Sequence, residues 1–275
     1  MTQRFMSYAQ NFEDVMLWRA LKHVEHGFYI DIGACSPDEL SVTKAFYDRG
    51  WCGINIEPHP GYHAQLLVAR PRDINLGVAL GDRAGDVTMH FVSDTGLSTT
   101  DADQAKKRAR EGFSVVDGVV PLNTLSAIWA RHVAPDQPVH FLKVDVEGSE
   151  LAVLRGGDWD ICRPWIVVVE ATQPLTQEPS YHEWEGILTG TGYVFVYGDG
   201  LNRFYVADER EELRAAFAYP PNEFDEFVRA SEVLGLIART VLAEAELAAI
   251  RASRSWRVTR PLRTAARLAR RVRRD

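Results

Sequence analysis

The sequence has few cysteines, no long apolar run and no complete dinucleotide-binding glycine motif. Its three cysteines, Cys35, Cys52 and Cys162, match neither the spacing of a metal site nor a disulfide framework. We therefore expect a reduced, cytoplasmic protein. The chain contains no run of about 18 apolar residues, which excludes a membrane-spanning helix. The first residues, MTQRFMSYAQ, also lack the apolar core of a signal peptide.

Positive charge is scarce except at the C-terminus. Residues 251–275 contain ten arginines and one acid, Asp275, for a charge of +9. Subtracting this from the total of −7 leaves −16 on residues 1–250. The net negative charge of residues 1–250 argues against a nucleic-acid substrate. The basic tail is a separate segment with its own role.

Residues 28–58 show the pattern of a βαβ unit. One apolar run ends at Asp31 and Gly33, a stretch of helical period follows, and a second apolar run ends at Glu57. Such a unit requires a parallel sheet, and ligands of open α/β sheets bind at the carboxyl ends of the strands. We therefore expect a ligand site at these residues.

The residue types at this edge favour a nucleoside ligand without a diphosphate. Gly33 permits a tight turn and a close approach to the ligand, and Asp31 lies beneath that turn, ready to bind a cation or fix the loop. Glu57 is placed to accept both hydroxyls of a ribose. An NAD site is the alternative, but it requires G-x-G-x-x-G, and Cys35 and Pro37 occupy the later positions. S-adenosylmethionine suits this loop better.

Further segments extend the sheet and cover it. The run INLGVALGD predicts a third strand ending at Asp82, which either accepts the adenine amine or belongs to a turn. Residues 93–114 lack an apolar period and predict a surface excursion or a substrate-covering lid. Residues 7–22 predict an amphipathic helix, with polar residues that either cap it or contact the cofactor: Gln10, Asn11, Glu13 and Asp14.

A second group of acids follows the predicted strand 139–144. Asp145 and Glu147 have no capping role, and two carboxylates at one strand end repel each other unless a cation, a proton or a substrate hydroxyl intervenes. Lys143 is a candidate partner. The strand 165–170 adds Glu170 at its end.

These acids are the catalytic candidates. We predict Asp145, Glu147 and Glu170 as catalytic residues, with Asp145 favoured as base or ligand. If a metal is used, the same three residues are the expected ligands, and their oxygens suit magnesium.

The C-terminal part is predicted to be helical. YVFVY and RFYVA form a closing hairpin, so at least one of these strands is antiparallel, and Pro220 and Pro221 end the domain. The predicted domains are 1–220, a long helix over 221–252, and an Arg-rich tail over 253–275. The helix carries an apolar seam for a coiled coil, self-association or docking, formed by Leu234, Ile237, Val241, Ala245, Ala248 and Ala252. The tail, if helical over 261–274, gathers arginines on one side and predicts peripheral attachment to the inner membrane face.

Several motifs in order resemble the FkbM-type methyltransferases. They are SYAQNFED, DIGA-x-x-P, GWCGINIEP, VALGD and FLKVDVEGSELAVLRG, and the resemblance covers roughly residues 7–207. It implies an α/β fold with a seven-stranded, mostly parallel Rossmann-like sheet and helices on both faces, to which the C-terminal helical extension is added. Carried over, cofactor contacts fall on Asp31, Gly33, Ala34, Glu57, Asp82 and Asp145, with Asp145 near the transferred methyl.

We therefore predict an S-adenosylmethionine-dependent O-methyltransferase acting on a hydroxyl of a sugar or glycan intermediate. SRSWRVTRPLR is similar to the end of many bacterial enzymes of surface-polysaccharide assembly, which favours polysaccharide biosynthesis. The alternatives are a catalytically idle module that organises a glycan-assembly complex, and a methyltransferase for a polyketide-type product.

Overall fold

The computed structural model describes residues 4–92 and 95–263. The chain divides into two compact units, Met1–Phe227 and Val228–Asp275, so the boundary predicted at residue 220 lies inside the first unit. Among the described residues, no helix combines the length and the apolar character that crossing a bilayer requires.

The strands and helices follow one another in the alternating order of an α/β protein. The strands are β1 (Phe5–Ser7), β2 (Phe28–Ile32), β3 (Cys52–Ile56), β4 (Ile74–Leu76), β5 (Ala79–Leu80), β6 (Gly85–Val92), β7 (Val115–Asn123), β8 (Phe141–Val144), β9 (Ile166–Glu170), β10 (Tyr193–Gly198), β11 (Asn202–Ala207) and β12 (Phe227–Arg229). The helices are α1 (Glu13–Leu21), α2 (Lys44–Tyr47), α3 (Pro60–Ala69), α4 (Ala102–Arg110), α5 (Leu125–His132), α6 (Glu150–Arg155), α7 (Glu185–Thr189), α8 (Ala230–Ala252) and α9 (Arg254–Val258). Short 3₁₀ segments cover Tyr181–Glu183, Asp208–Phe217 and Glu223–Asp225.

The main sheet has seven strands in the order β10-β11-β9-β8-β2-β3-β4. β4, β3, β2, β8 and β9 run parallel, whereas β11 is antiparallel to both of its neighbours. The predicted seven-stranded, mostly parallel sheet and its antiparallel closing hairpin are therefore confirmed. The order reverses between β2 and β8, so the loops that follow these two strands diverge and leave a crevice between them.

Helices cover both faces of this sheet, which explains why its central strands are apolar throughout. On one face, Ile30, Ile54 and Leu142 pack with residues of α5, α6 and α7. On the other face, Tyr29 and Phe141 pack with residues of α1 and α2. Strands buried on both sides read as continuous apolar runs, which is why the sequence located them.

A second sheet departs from the sequence-based expectation. β5, β7 and β6 form a separate three-stranded sheet, and the predicted single strand over 74–82 is split between the two sheets. Helix α5 begins only at Leu125, because Pro121 belongs to β7 and lies opposite Asp86 of β6.

The polar stretch 93–114 contains a helix that the sequence did not show. α4 spans Ala102–Arg110, and only Ala105 and Arg108 of its residues are buried. Two buried positions, one of them charged, produce almost no apolar period, which explains why the pattern indicated only a surface excursion or lid.

Two predicted helices also begin later than expected. The one over 7–22 starts at Glu13, because Phe5–Ser7 is a strand and Phe12 has a left-handed backbone with φ 65°. The long C-terminal helix starts at Ala230, after the 3₁₀ segment and β12. Most of the tail helix predicted over 261–274 lies outside the described residues.

Candidate functional site

A cavity of about 700 Å³ lies at the carboxyl ends of β2, β3 and β8. Its walls come from the segments that follow these three strands, from the N-terminal segment and from residues around β5. Of the predicted site residues, it is lined by Asp31, Gly33, Ala34, Glu57, Asp145 and Glu147. The volume is in the range of small-molecule and cofactor sites.

Gly33 fits its position for two reasons. Its φ is 82°, a left-handed conformation that other residues adopt only with strain. In addition, a Cβ at this position would lie 1.7 Å from the backbone oxygen of Asp145. The N–H groups of Gly33 and Ala34 both donate to the carbonyl oxygen of Ile56, at 2.9 and 3.2 Å. Glycine thus lets the loop after β2 close against the ends of β3 and β8.

A buried lysine links two of the predicted acids. Asp31 and Lys143 lie side by side in the register of β2 and β8. The Lys143 Nζ is 2.9 Å from Asp145 Oδ2 and 4.0 Å from Asp31 Oδ1. Burial acts to lower the pKa of Lys143, but the charges of Asp145 and Asp31 raise that pKa well above its usual range. The lysine therefore stays charged and fixes the Asp145 carboxylate at the cavity wall.

Asp31 lies beneath the loop, as the sequence predicted. It is 1% exposed, and its Oδ2 accepts a hydrogen bond from the Thr43 hydroxyl at 3.2 Å. Burial raises the pKa of Asp31, and the charge of Lys143 opposes this effect. Since Lys143 is its nearest cation, Asp31 acts on the cavity mainly by holding that lysine in place.

Glu57 joins two loops of the cavity through its carboxylate. One oxygen accepts the N–H of His59 at 2.7 Å, and the other accepts the N–H of Cys35 at 2.8 Å. Burial raises the pKa of Glu57 to about 7 although both hydrogen bonds favour the charged form. Each oxygen retains a second acceptor direction, so the carboxylate is still able to receive ligand hydroxyls.

Asp145, Glu147 and Glu170 converge on one point, and we refer to them as the acidic cluster. Their nearest carboxylate oxygens all lie within 4.8 Å of one another. The loop after β8 brings Glu147 to Asp145 because Glu147 adopts a left-handed φ of 54° and Glu150 accepts the N–H groups of Val146 and Gly148, each at 3.1 Å. Glu170 reaches them from the end of β9, which pairs with β8. The sequence identified these three residues but not the backbone turn that joins them.

The electrostatics of the acidic cluster require a compensating group. Burial, followed by the charge of Asp145, raises the pKa of Glu147 to about 8 and that of Glu170 to about 10. Glu170 is 7% exposed, and its Oε2 is buried without a hydrogen-bond partner. Such a carboxyl either carries a proton or faces a cation.

Asp82 is the one predicted cofactor contact that the structure places outside the cavity lining. β4 ends at Leu76, and the chain crosses to the second sheet before it reaches Asp82, so this residue does not stand at a strand end of the main sheet. Its side chain is 43% exposed and lies 3.3 Å from Arg83. The cavity is lined at this point by apolar side chains instead: Val78, Ala79 and Leu80.

The N-terminal polar cluster divides into two roles. Gln10 and Glu13 line the cavity, and Glu13 accepts hydrogen bonds from the Asn202 side chain at 2.9 Å and from the N–H of Asn11 at 2.8 Å. Burial raises the pKa of Glu13 to about 7. Asp14 instead accepts hydrogen bonds from Ser7, Tyr8 and Ala9, and so fixes the N-terminal segment.

The segment 95–112, which we call the insert, forms a wall of the cavity; the sequence predicted a surface excursion or a substrate-covering lid for this stretch. Thr95, Ser98 and Thr100 line the cavity. The Thr99 hydroxyl donates to the carbonyl oxygen of Glu147 at 2.9 Å, and the hydroxyl oxygens of Thr100 and Ser149 are 2.7 Å apart. The insert is thus attached directly to the loop that carries the acidic cluster.

Comparison with known proteins agrees with this geometry. The family model of the methyltransferase FkbM domain matches residues 31–195, which include the carboxyl ends of β2, β3, β8 and β9. None of the curated proteins compared with the chain matches it.

Proposed function

Because this chain belongs to the FkbM methyltransferase family, we propose that it transfers a methyl group from S-adenosylmethionine to a hydroxyl of a sugar or glycan intermediate. The observation that carries the proposal is a cofactor-sized cavity that adjoins the acidic cluster at Asp145. The cavity supports a bound cofactor, and the acidic cluster supports proton removal from an acceptor.

The lining of the cavity favours S-adenosylmethionine over NAD. Among the described residues that line it, Lys143 is the only lysine or arginine, and it is already paired with carboxylates. A diphosphate would find no available cation there, whereas the sulfonium of S-adenosylmethionine is attracted by acids. Glu57 then accepts the ribose hydroxyls, and the apolar residues 78–80 border the adenine.

We assign the removal of the acceptor's proton to Asp145. In the transfer, the acceptor oxygen forms a bond to the methyl carbon, the carbon–sulfur bond breaks, and S-adenosylhomocysteine leaves. The acceptor hydroxyl must lose its proton, and a carboxylate within reach is the group that takes it. The Asp145 side chain is 33% exposed, lines the cavity and is oriented by Lys143 at 2.9 Å. Glu147 and Glu170 lie beside this base in the acidic cluster.

The acidic cluster also fits a magnesium ion. Its members offer only oxygen ligands, and the unpartnered Oε2 of Glu170 is the kind of buried atom that a cation would satisfy. Asp145, Glu147 and Glu170 would hold the ion, which would lower the pKa of a bound hydroxyl. Manganese binding, followed by electron paramagnetic resonance, tests this without turnover. We expect Glu170→Gln to weaken it and Glu13→Gln, at another buried acid of the cavity, to leave it unchanged; equal binding by both variants would contradict the ion site.

Calorimetric titration with S-adenosylhomocysteine tests the cofactor. Glu57→Gln keeps the size of the side chain but removes its charge, and charge-assisted hydrogen bonds are worth about 1.5–3 kcal/mol each. We expect at least roughly tenfold weaker binding. Asp82→Asn is the matched control, since this acid lies outside the cavity, and its affinity should equal that of the wild type. Tight binding of NADH instead would overturn the methyltransferase proposal.

The acceptor is assigned from the C-terminal segment. The similarity of SRSWRVTRPLR to the ends of enzymes of surface-polysaccharide assembly supports a glycan intermediate built at the cytoplasmic face of the membrane. Incubation with labelled S-adenosylmethionine and a glycan extract of the host should label a sugar methyl ether. Cofactor binding without any labelled product would favour the idle assembly module, and labelling of a polyketide-type product would favour the second alternative.

A further inference from the structure

Helix α8 is exposed along almost its whole length although it is rich in apolar side chains. Of its residues, only Ala230 is buried. Large apolar side chains remain exposed on it, among them Leu236 at 60%, Leu242 at 66% and Ile250 at 51%. Helices in proteins gain most of their stability from packing of an apolar face, so a helix of this composition is expected to pack against a partner.

The order of residues in α8 follows a heptad. Val233, Thr240 and Leu247 occupy its a positions, and Leu236, Ala243 and Ile250 occupy its d positions. We call these six residues the a/d stripe. It differs from the seam recognised in the sequence, which ran through Leu234, Ile237 and Val241. Charge placement distinguishes the two stripes.

Every charged residue of α8 flanks the a/d stripe. Glu232, Arg239 and Glu246 occupy the g positions, and Glu244 and Arg251 occupy e positions. In coiled coils, charges at e and g form ion pairs between helices and set their orientation. The alternative stripe through Leu234 and Val241 has no such pair of flanking charge columns.

These charges are not arranged to stabilise their own helix. Oppositely charged residues interact within a helix when they lie three or four positions apart. Arg239, Glu244, Glu246 and Arg251 have no opposite charge at that spacing in α8. The guanidinium of Arg239 instead donates to the carbonyl oxygen of Gly235 at 3.3 Å. The charge pattern is therefore explained by a partner helix.

We propose that α8 pairs with α8 of a second copy of this chain as a parallel, in-register coiled coil through the a/d stripe. In that arrangement each g position faces the e position of the next heptad, which sets Arg239 against the partner's Glu244 and Glu246 against the partner's Arg251. An antiparallel pair would instead bring g against g and e against e. In the antiparallel register that overlaps the two helices fully, Arg239 would face the partner's Glu246, but Glu244 and Arg251 would face the uncharged Ile237 and Ala230. The parallel pair thus forms four ion pairs and the antiparallel pair only two, so the charges favour the parallel orientation.

Sedimentation equilibrium of the full-length chain tests the dimer. We expect the wild type to reach twice the chain mass of 30.9 kDa as concentration rises. Leu236→Glu places a charge in the stripe and should weaken the dimer by at least roughly tenfold. Leu242→Glu, a substitution of an equally exposed leucine outside the stripe, should change it far less. A wild type that stays monomeric up to roughly 100 μM, or equal effects of the two substitutions, overturns the proposal.

Charge exchange tests the orientation. Arg239→Glu and Glu244→Arg should each weaken the dimer by about tenfold, because each sets like charges against each other. An equimolar mixture of the two variants should form a heterodimer, and the double variant should dimerise like the wild type. A dimer that Arg239→Glu weakens but Glu244→Arg leaves unchanged would show the antiparallel register and overturn the parallel assignment. Unchanged circular dichroism of each variant confirms that α8 remains helical.

Discussion

At the residue scale, Asp145 combines access to the cavity with a fixed orientation. Burial raises the pKa of Glu147 to about 8 and that of Glu170 to about 10, so both are poor bases for an acceptor hydroxyl at neutral pH. Asp145 is held instead by the charged Lys143 at 2.9 Å and lines the cavity. The division of roles within the acidic cluster follows from these environments.

We predict that Asp145→Asn abolishes methyl transfer while cofactor binding persists. The amide keeps the size of the side chain but does not accept a proton, so turnover should fall at least roughly 100-fold. The measurement is turnover with labelled S-adenosylmethionine beside calorimetry with S-adenosylhomocysteine. Asp38→Asn, at a more exposed acid of the cavity rim, is the control. Undiminished turnover in Asp145→Asn would remove this residue from the chemistry.

His140 gives a pH dependence of stability at a distance from the cavity. Its ring is 3% exposed, lies between Trp51 and Trp165, and accepts the N–H of Phe28 through Nδ1 at 3.0 Å. Burial lowers the pKa of His140 from 6.5 to about 4. Because the folded pKa lies below the unfolded one, protonation favours unfolding. The stability that the neutral His140 ring contributes is fully present above pH 6.5 and is lost as pH falls toward 4.

We predict that His140→Asn removes this pH dependence. The asparagine side-chain oxygen replaces Nδ1 as the acceptor but does not titrate. Between pH 7 and pH 5 the wild type should lose about 2 kcal/mol more free energy of unfolding than the variant, as measured by urea titration. His26→Asn, at an exposed histidine, should retain the wild-type slope. Parallel slopes for wild type and His140→Asn would show that this ring titrates normally.

At the element scale, α4 is held against the body of the protein by one buried cation. Arg108 is 1% exposed, forms an ion pair with Glu111 at 2.6 Å and donates to the carbonyl oxygen of Pro174 at 3.2 Å. The remaining charged side chains of α4 contribute little to its attachment, because exposed pairs such as Asp103–Lys106 are largely screened by solvent.

We predict that Arg108→Met loosens α4 selectively. Loss of a buried charged hydrogen-bond donor costs about 1.5–3 kcal/mol of local stability, which corresponds to amide exchange at least roughly tenfold faster. Hydrogen exchange read by mass spectrometry should show this in residues 102–110 and not in β8. Lys107→Met, on the exposed side of the same helix, should leave exchange unchanged. Uniformly faster exchange would indicate a global effect instead.

At the scale of the whole molecule, the distribution of charge separates the body from the tail. Residues 251–275 carry +9 against −16 on the rest of the chain. Each arginine near an anionic membrane contributes about 1 kcal/mol to binding, and high salt removes this contribution. The basic tail is thus the part of the chain suited to an anionic surface.

We predict that a chain ending at Ala252 no longer pellets with phosphatidylserine vesicles at low salt, whereas the full-length chain does. The shortened chain keeps the cavity and α8, so its affinity for S-adenosylhomocysteine should not change. Vesicles of phosphatidylcholine alone are the control for electrostatic binding. If the full-length chain stays in the supernatant with anionic vesicles, the tail does not bind membranes, and a protein becomes its expected partner.

The sequence by itself determined the central sheet and most of the acids at its edge. β3, β8 and β9 are almost wholly buried, so their apolar runs are continuous, and the residue that ends or follows each run necessarily lies at the carboxyl edge. Asp145, Glu147 and Glu57 were found in this way, without knowledge of the packing. The heptad of α8 can also be recognised in the sequence, because the seven-residue repeat depends only on helix geometry.

Only the tertiary structure decided which of these residues meet. Asp82 followed an apolar run like the others, but Ile74–Leu76 and Ala79–Leu80 belong to different sheets, and pairing between strands distant in sequence leaves no local signal. α4 was hidden because a surface helix with only Ala105 and Arg108 buried has almost no apolar period. The convergence of Glu170 with Asp145 depends on β9 lying beside β8. That neighbourhood is fixed by packing of the whole sheet, since no local pattern specifies strand order.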